Sequence, residues 1–338
     1  MKTLRSAVKP LLSALLLLAS GAYVQCATPE QLHQSALQNF SYKPDSVNVR
    51  SLKIPFAAQQ RATRGMTAYF ISVGQGDSEY IELPNGKNVL IDGGPNSAGV
   101  SAFLKSKNVS TIDYLVLTHP HADHFSGLAY VFDNLQVNNF YDTMLENRNT
   151  SSTEENAAAR TSTMERLYGR EYTDALRGGV QTIREKAAAE PNCHVSFPDK
   201  GQMLDWDANV QVRVLNGCPL PSATSRESEA NNCSIVLHMT YNGHSFLFTG
   251  DAEKSVLTNI VQEFGPEIQA EVLKVPHHGS QYAMTKEFID TVQPKVAYIE
   301  VGPNTYGFPT KQAMGLLQDA GVKVFRTDRD GTQYYHVD

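Results

Sequence analysis

The 338-residue sequence has no apolar run of the roughly 20 residues that a membrane span needs. It has no short-period repeat, and it has no excess of positive charge. The first absence excludes a membrane bundle and the second a repeat array. The third counts against a protein that grips nucleic acid by charge, because 29 Lys and Arg face 35 Asp and Glu, a net −6. With 41% hydrophobic and 19% charged residues the chain also falls outside the disordered class. A folded catalytic or binding domain remains.

One segment departs from this background. Residues 1–26 place Lys2, Arg5 and Lys9 before the apolar stretch 11–19 and end in small residues, the layout of a secretory signal peptide. Cleavage is expected after Ala22 or close to Cys26, leaving no stable membrane insertion and a secreted or periplasmic protein. An uncleaved anchor is the alternative. A lipidated Cys26 suits the sequence less well, since Tyr23-Val24-Gln25 lacks the usual Leu and small residue. Removal takes three basic residues and moves the formal charge to −9, with 26 basic against 35 acidic groups. Residues 27–60 read as a polar N-terminal extension. Residues 61–338 read as the main domain, with an insertion at about 141–190 whose helix-prone part, 171–190, is interrupted at Gly178-Gly179. Arg160, Arg166, Arg170, Arg177 and Arg184 within it are candidates for a local basic patch. Of the four cysteines, Cys193 and Cys218 are the first expectation for a disulfide in an oxidising compartment.

From Met66 onward short β-rich runs alternate with helical patterns, twice over, which predicts an α/β fold of two packed sheets with helices outside. The apolar strand Ile112–Leu117 leads into His119-Pro120-His121-Ala122-Asp123-His124. Four ligand-type side chains among six residues, at the mouth of a strand, point to metal binding. His119 and His121 sit two apart and can face one ion, while Asp123 and His124, displaced by the turn, can face a second. Asp92 and Asp251 follow other apolar strands. Either can bridge two cations, and either can equally cap the next helix. His277-His278, before Gly279-Ser280, supply further imidazoles.

The order Ile91-Asp92-Gly93-Gly94, His119-x-His121-x-Asp123-His124, Thr249-Gly250-Asp251 and His277 resembles the metallo-β-lactamase superfamily. More narrowly, Val73-Gly74-Gln75-Gly76-Asp77, Asn231-Asn232-Cys233-Ser234 and Lys274-Val275-Pro276-His277-His278-Gly279-Ser280 resemble the soluble hydrolase domain of ComEC-type competence proteins, from about Met66 to the C-terminus. The competence proteins' channel segments have no counterpart here, so a free-standing exported relative is expected. The resemblance implies an αββα four-layer sandwich, the metallo-β-lactamase fold, with two divalent metal ions, Zn²⁺ or Mn²⁺. It assigns His119 and His121 to metal one, Asp123, His124 and His277 to metal two, Asp251 to the bridge, and Asp92 to ordering the cluster. His278 is the alternative to His277.

Two departures from the family pattern follow. The place of a third histidine for metal one holds Asn231-Asn232-Cys233. Asn231 and Asn232 are therefore candidates for metal or substrate contact, with Cys233 as a thiolate alternative. Where the branch has Tyr-Gly-His-Pro, this chain has Tyr306-Gly307-Phe308-Pro309. The expected activity is hydrolysis by a metal-activated hydroxide oriented by Asp123, on a small or polymeric phosphodiester. The acidic charge disfavours nucleic acid. The alternatives are hydrolysis of a β-lactam, ester or amide, and a non-catalytic metal-binding protein that keeps the fold.

Overall fold

The computed structural model describes residues 65–143, 170–218 and 229–338, all within the larger of two compact units, Leu52–Asp338. The expected signal segment, the extension 27–60 and residues 144–169 of the expected insertion lie outside the described residues.

The first half runs β1 (Met66–Phe70), β2 (Glu79–Glu82), β3 (Asn88–Ile91), α1 (Ser97–Ser106), β4 (Thr111–Ile112), β5 (Tyr114–Val116), α2 (Ala122–Phe125), α3 (Leu128–Asn134), β6 (Gln136–Val137), β7 (Asn139–Tyr141), α4 (Arg170–Ala189) and β8 (His194–Ser196). The second half runs β9 (Val210–Asn216), α5 (Glu229–Asn232), β10 (Val236–Tyr241), β11 (His244–Phe248), α6 (Lys254–Phe264), β12 (Val272–Lys274), α7 (Lys286–Val292), β13 (Val296–Ile299), α8 (Lys311–Asp319), β14 (Lys323–Arg326), α9 (Thr327–Asp330) and β15 (Gln333–Val337). One sheet has the order β15-β1-β2-β3-β5-β7-β8 and the other β14-β13-β12-β11-β10-β9. The last strand crosses back to pair antiparallel with β1.

Strand side chains alternate between the two faces of a sheet, and here both faces are buried. Met66, Ala68 and Phe70 of β1 enter the core between the sheets, while Tyr69 packs under the first half's helices. Phe246 and Phe248 of β11 and Val296 and Tyr298 of β13 join the same inter-sheet core, whereas Leu247, Ala297 and Ile299 face the second half's helices. This double burial makes the fold a four-layer α/β sandwich.

Two expectations are corrected. The helix in the expected insertion runs unbroken from Arg170 to Ala189. Its Val180, Ile183 and Ala187 belong to the core under the first sheet. Gly179 does not break it, because the missing side chain lets the helix rest against the Phe125 ring, where a Cβ would come within 2.6 Å. Arg184 pairs with buried Asp142 at 2.8 Å and offers no surface charge. The disulfide joins Cys218 to Cys233, leaving Cys193 free. The antiparallel pairing of β9 with β10 brings those two cysteines together, while Cys193 lies just before β8 of the other sheet. A disulfide sulfur is no thiolate, so Cys233 is removed as a metal ligand.

Candidate metal centre

Strands β3 and β5 run parallel, as do β11, β12 and β13, so their carboxyl ends open on one edge, where ligands bind in sheets of this kind. Asp92 follows β3, the histidine cluster follows β5, Asp251 follows β11, His277-His278 follow β12, and Glu300 follows β13.

His121 is the residue before α2, and Asp123 and His124 lie in that helix's first turn. The helix therefore starts at Ala122, inside the ligand cluster. Two sets of ligand atoms converge within 4.8 Å, one from His119, His121 and Asp251, the other from Asp123, His124, Asp251 and His278. Asp251 is common to both. Its Oδ2 lies 3.4 Å from His124 Nε2, 3.5 Å from His278 Nε2 and 3.9 Å from His119 Nε2. His124 Nε2 and Asp251 Oδ1 are buried and complete no hydrogen bond within the protein. Such a spacing fits a shared cation and not an aligned hydrogen bond.

The opposite ring nitrogens explain which atom faces the centre. His124 Nδ1 lies 2.7 Å from Asp92 Oδ2, and His278 Nδ1 lies 2.8 Å from the Glu300 carbonyl. His119 Nδ1 faces the Thr118 hydroxyl at 3.1 Å. With these acceptors taking the Nδ1 proton, each Nε2 presents its lone pair inward, as a ligating imidazole must. Asp92 also accepts from the Thr118 amide and hydroxyl, at 2.8 and 2.6 Å. It caps no helix, since Asn96 caps α1. Asp251 caps none either: α6 starts after Glu253, and the Asp251 amide is held by Ser234 Oγ at 3.0 Å. Gly250 has φ 49°, and a Cβ there would press on Thr118 and Ser234, so glycine is required before this carboxylate.

His278 takes the place in the second group first assigned to His277, whose Nε2 nevertheless lies 3.7 Å from Asp251 Oδ2. Both residues take left-handed backbone, φ 48° and 53°, a conformation that costs about 1–3 kcal/mol each and collects at functional sites. The turn sends His278 inward, 1% exposed, and His277 to the rim, with its Nδ1 3.5 Å from Glu253. Asn231 is buried and donates through Nδ2 to Glu253 at 2.9 Å, while its Oδ1 has no hydrogen-bond partner. Its amide oxygen thus remains a candidate third ligand for the first group. Asn232 does not: its side chain accepts from Ser255 and its carbonyl from Asn216. His238 bonds the Gln269 carbonyl and His244 pairs with Glu271, both as structural residues.

Burial and the neighbouring His124 and His121 hold His119 neutral, well below its ordinary range. Burial also opposes charge on His124, yet Asp251, Asp123, Asp92 and Asp77 outweigh it and hold that imidazole well above its usual pKa. His278 behaves likewise, through Asp251 and Asp77. Burial raises Asp123, but His124 and the hydrogen bond from His278 bring it down to about 2. The carboxylates demand positive charge, and a divalent ion held by these residues would meet that demand in place of the imidazole protons.

Four residues beneath the centre received no role from sequence. Lys274, fully buried, pairs with Asp77 and donates to the Gly250 carbonyl at 2.9 Å. Asp77 Oδ1 faces His278 Nδ1 at 3.2 Å. Glu79 and Glu300 lie beside Asp77. A lone Lys inside the apolar run Val272-Leu273-Lys274-Val275 is the signal that could have found this group. Burial and the charges of Glu300 and Asp77 push Glu79 well above 4.5, and burial and the Asp77 charge push Glu300 up to about 8. From about pH 4.5 to 8 the folded chain therefore holds protons that the unfolded chain has lost. This stability is complete below 4.5 and drains away as pH rises through the folded values. Glu79→Gln is expected to flatten the fall of the thermal midpoint between pH 5 and 8. An unchanged slope would contradict the raised Glu79 value.

The profile of the metallo-β-lactamase superfamily matches residues 71–191. ComE operon protein 3 of Bacillus subtilis (strain 168) is 30% identical over 289 residues, covering 78% of this chain and 32% of that protein. Competence protein ComA of Neisseria gonorrhoeae is 31% identical over 262 residues, covering 76% of this chain and 30% of that protein. The chain thus spans about a third of the length of these curated relatives. Among solved structures, the diiron β-hydroxylase CmlA of Streptomyces venezuelae aligns with a TM-score of 0.48 at 14% identity, over 81% of this chain and 54% of that one.

Proposed function

The chain belongs to the metallo-β-lactamase superfamily of hydrolases, and on that premise we propose an exported enzyme that cleaves phosphodiesters at a site for two divalent ions. The observation that carries the proposal is buried Asp251, common to two ligand groups, one with His119 and His121 and the other with Asp123, His124 and His278. Divalent ions held there would polarise a phosphoryl oxygen and bring water into its deprotonated range near neutral pH, and a pair of them would suit an in-line displacement at phosphorus.

The chain's own residues divide the remaining work. Asp123, the most exposed member of its group with 32% of its side chain accessible, is ionised at neutral pH. It accepts a hydrogen bond from the attacking water and so orients it. Asp92, Thr118 and Glu300 fix the ring tautomers from behind. Zn²⁺ and Mn²⁺ are the ions we assign, Mn²⁺ gaining ground from Asn231, since an amide oxygen favours a harder ion than imidazole does. Export is supported by the layout of residues 1–26 and by the Cys218–Cys233 disulfide, a bond that persists in oxidising compartments.

The test is turnover of bis-p-nitrophenyl phosphate with Zn²⁺ and Mn²⁺ in turn. Wild type is expected to hydrolyse it, and Asp123→Ala to lose roughly 10²-fold. Bound metal without turnover of any phosphodiester, ester or lactam would instead favour a metal-binding protein, a reading that Phe308 in place of the family's histidine supports.

A further inference from the structure

The loop after β13 carries an aromatic pair that the hydrolytic chemistry does not use. Tyr306 is 72% exposed, the most open large apolar side chain among the described residues. One face of its ring lies on Phe308, with centroids 5.5 Å apart and planes at 22°. The Phe308 ring in turn meets His277 at 5.4 Å and His278 at 6.4 Å. The pair is therefore a step leading from the His277-His278 turn to solvent.

It is also held in place. Asn304 donates to the carbonyls of Gly302 and Phe308, at 2.9 and 3.0 Å, and accepts from the Phe308 amide at 3.0 Å. Thr310 binds the Gly279 carbonyl through its amide at 2.9 Å and its hydroxyl at 3.0 Å, tying the loop to the histidine turn. The Gly302 amide reaches Gln75 Oε1 at 3.3 Å. A loop backbone fixed this firmly, carrying an exposed ring already stacked on Phe308, is preorganised for stacking, since less conformational freedom is lost on binding. In an acidic chain, stacking also supplies binding energy that phosphate contacts by Lys and Arg cannot.

We propose that Tyr306, backed by Phe308, stacks the planar ring of a nucleotidyl phosphodiester whose phosphate sits at the metal centre. This rests on the phosphodiesterase reading and narrows it to short nucleotidyl esters, held by one ring and not by a long charged track.

The experiment uses binding, so it does not depend on turnover. The metal-loaded full chain is titrated calorimetrically with adenosine 5′-monophosphate and with ribose 5-phosphate, for wild type, Tyr306→Ala and Tyr306→Trp. Wild type should bind the nucleotide more tightly than the sugar phosphate. Tyr306→Ala should weaken the nucleotide about 5- to 100-fold and leave the sugar phosphate unchanged, and Tyr306→Trp should retain nucleotide affinity. Equal binding of the two probes by wild type, no nucleotide binding, or an unchanged nucleotide affinity in Tyr306→Ala overturns the platform. Absence of hydrolysis would remove the proposed function without touching this result.

Discussion

His278→Ala is expected to empty the second metal position and to lower phosphodiester hydrolysis about 10³-fold or more, while His277→Ala keeps its metal. The size follows from the several kcal/mol that a divalent ion contributes to transition-state charge, since each 1.36 kcal/mol is tenfold in rate. The direction follows from the turn Pro276–Gly279. His278 is buried, its Nδ1 is fixed by the Glu300 carbonyl, and its Nε2 lies 3.3 Å from Asp123 and 3.5 Å from Asp251. His277 stands nearer the rim against Glu253 and Phe308, with its Nε2 3.7 Å from Asp251 and outside the group that holds Asp123. Metal content per chain after dialysis, read beside kcat, decides between the two. His278→Asn separates ligand loss from backbone strain, because asparagine tolerates the left-handed conformation. Loss of the ion from His277→Ala and its retention in His278→Ala would reverse the assignment.

The same turn marks where sequence reading runs out. Two adjacent histidines in an extended strand point to opposite sides, so spacing says that one faces the centre and cannot say which. The answer lies in two consecutive positive φ angles, fixed by the Gly250 carbonyl and by Glu300 on neighbouring strands. Strands were legible where both faces are apolar, as in β13, which is buried throughout. Strands β7 and β8 were not, being three residues each and dependent on parallel pairing with β5 and with each other. Helix α4 was misread at Gly178-Gly179 because glycine weakens a helix locally, whereas here the gap at Gly179 accepts the Phe125 ring. The histidine cluster and Asp251 were legible because ligand chemistry restricts residue type. The residues under them were not, since a buried ion pair is a property of three segments meeting and of no one segment's pattern.

That buried pair yields the largest stability effect. Lys274→Met is expected to lower the unfolding free energy by about 3–5 kcal/mol, because it strands Asp77 as an uncompensated charge beside Glu79 and Glu300. For a chain of this size the thermal midpoint should fall by roughly 10 °C. Burial alone would neutralise this lysine, but Asp77, Asp251, Glu79 and Glu300 hold it protonated well above its usual value. The ion pair also reaches the chemistry, since Asp77 Oδ1 faces His278 Nδ1 and loss of such an orienting contact costs about 10- to 100-fold in metal affinity. Lys274→Met combined with Asp77→Asn removes both charges, so the double variant should regain much of the stability while metal affinity stays low. A structural filler would behave otherwise: two independent losses would add, and metal affinity would follow stability back toward wild type. Non-additivity in stability with persistent loss of metal is therefore the signature of a lysine that holds the ligand set in register through Asp77.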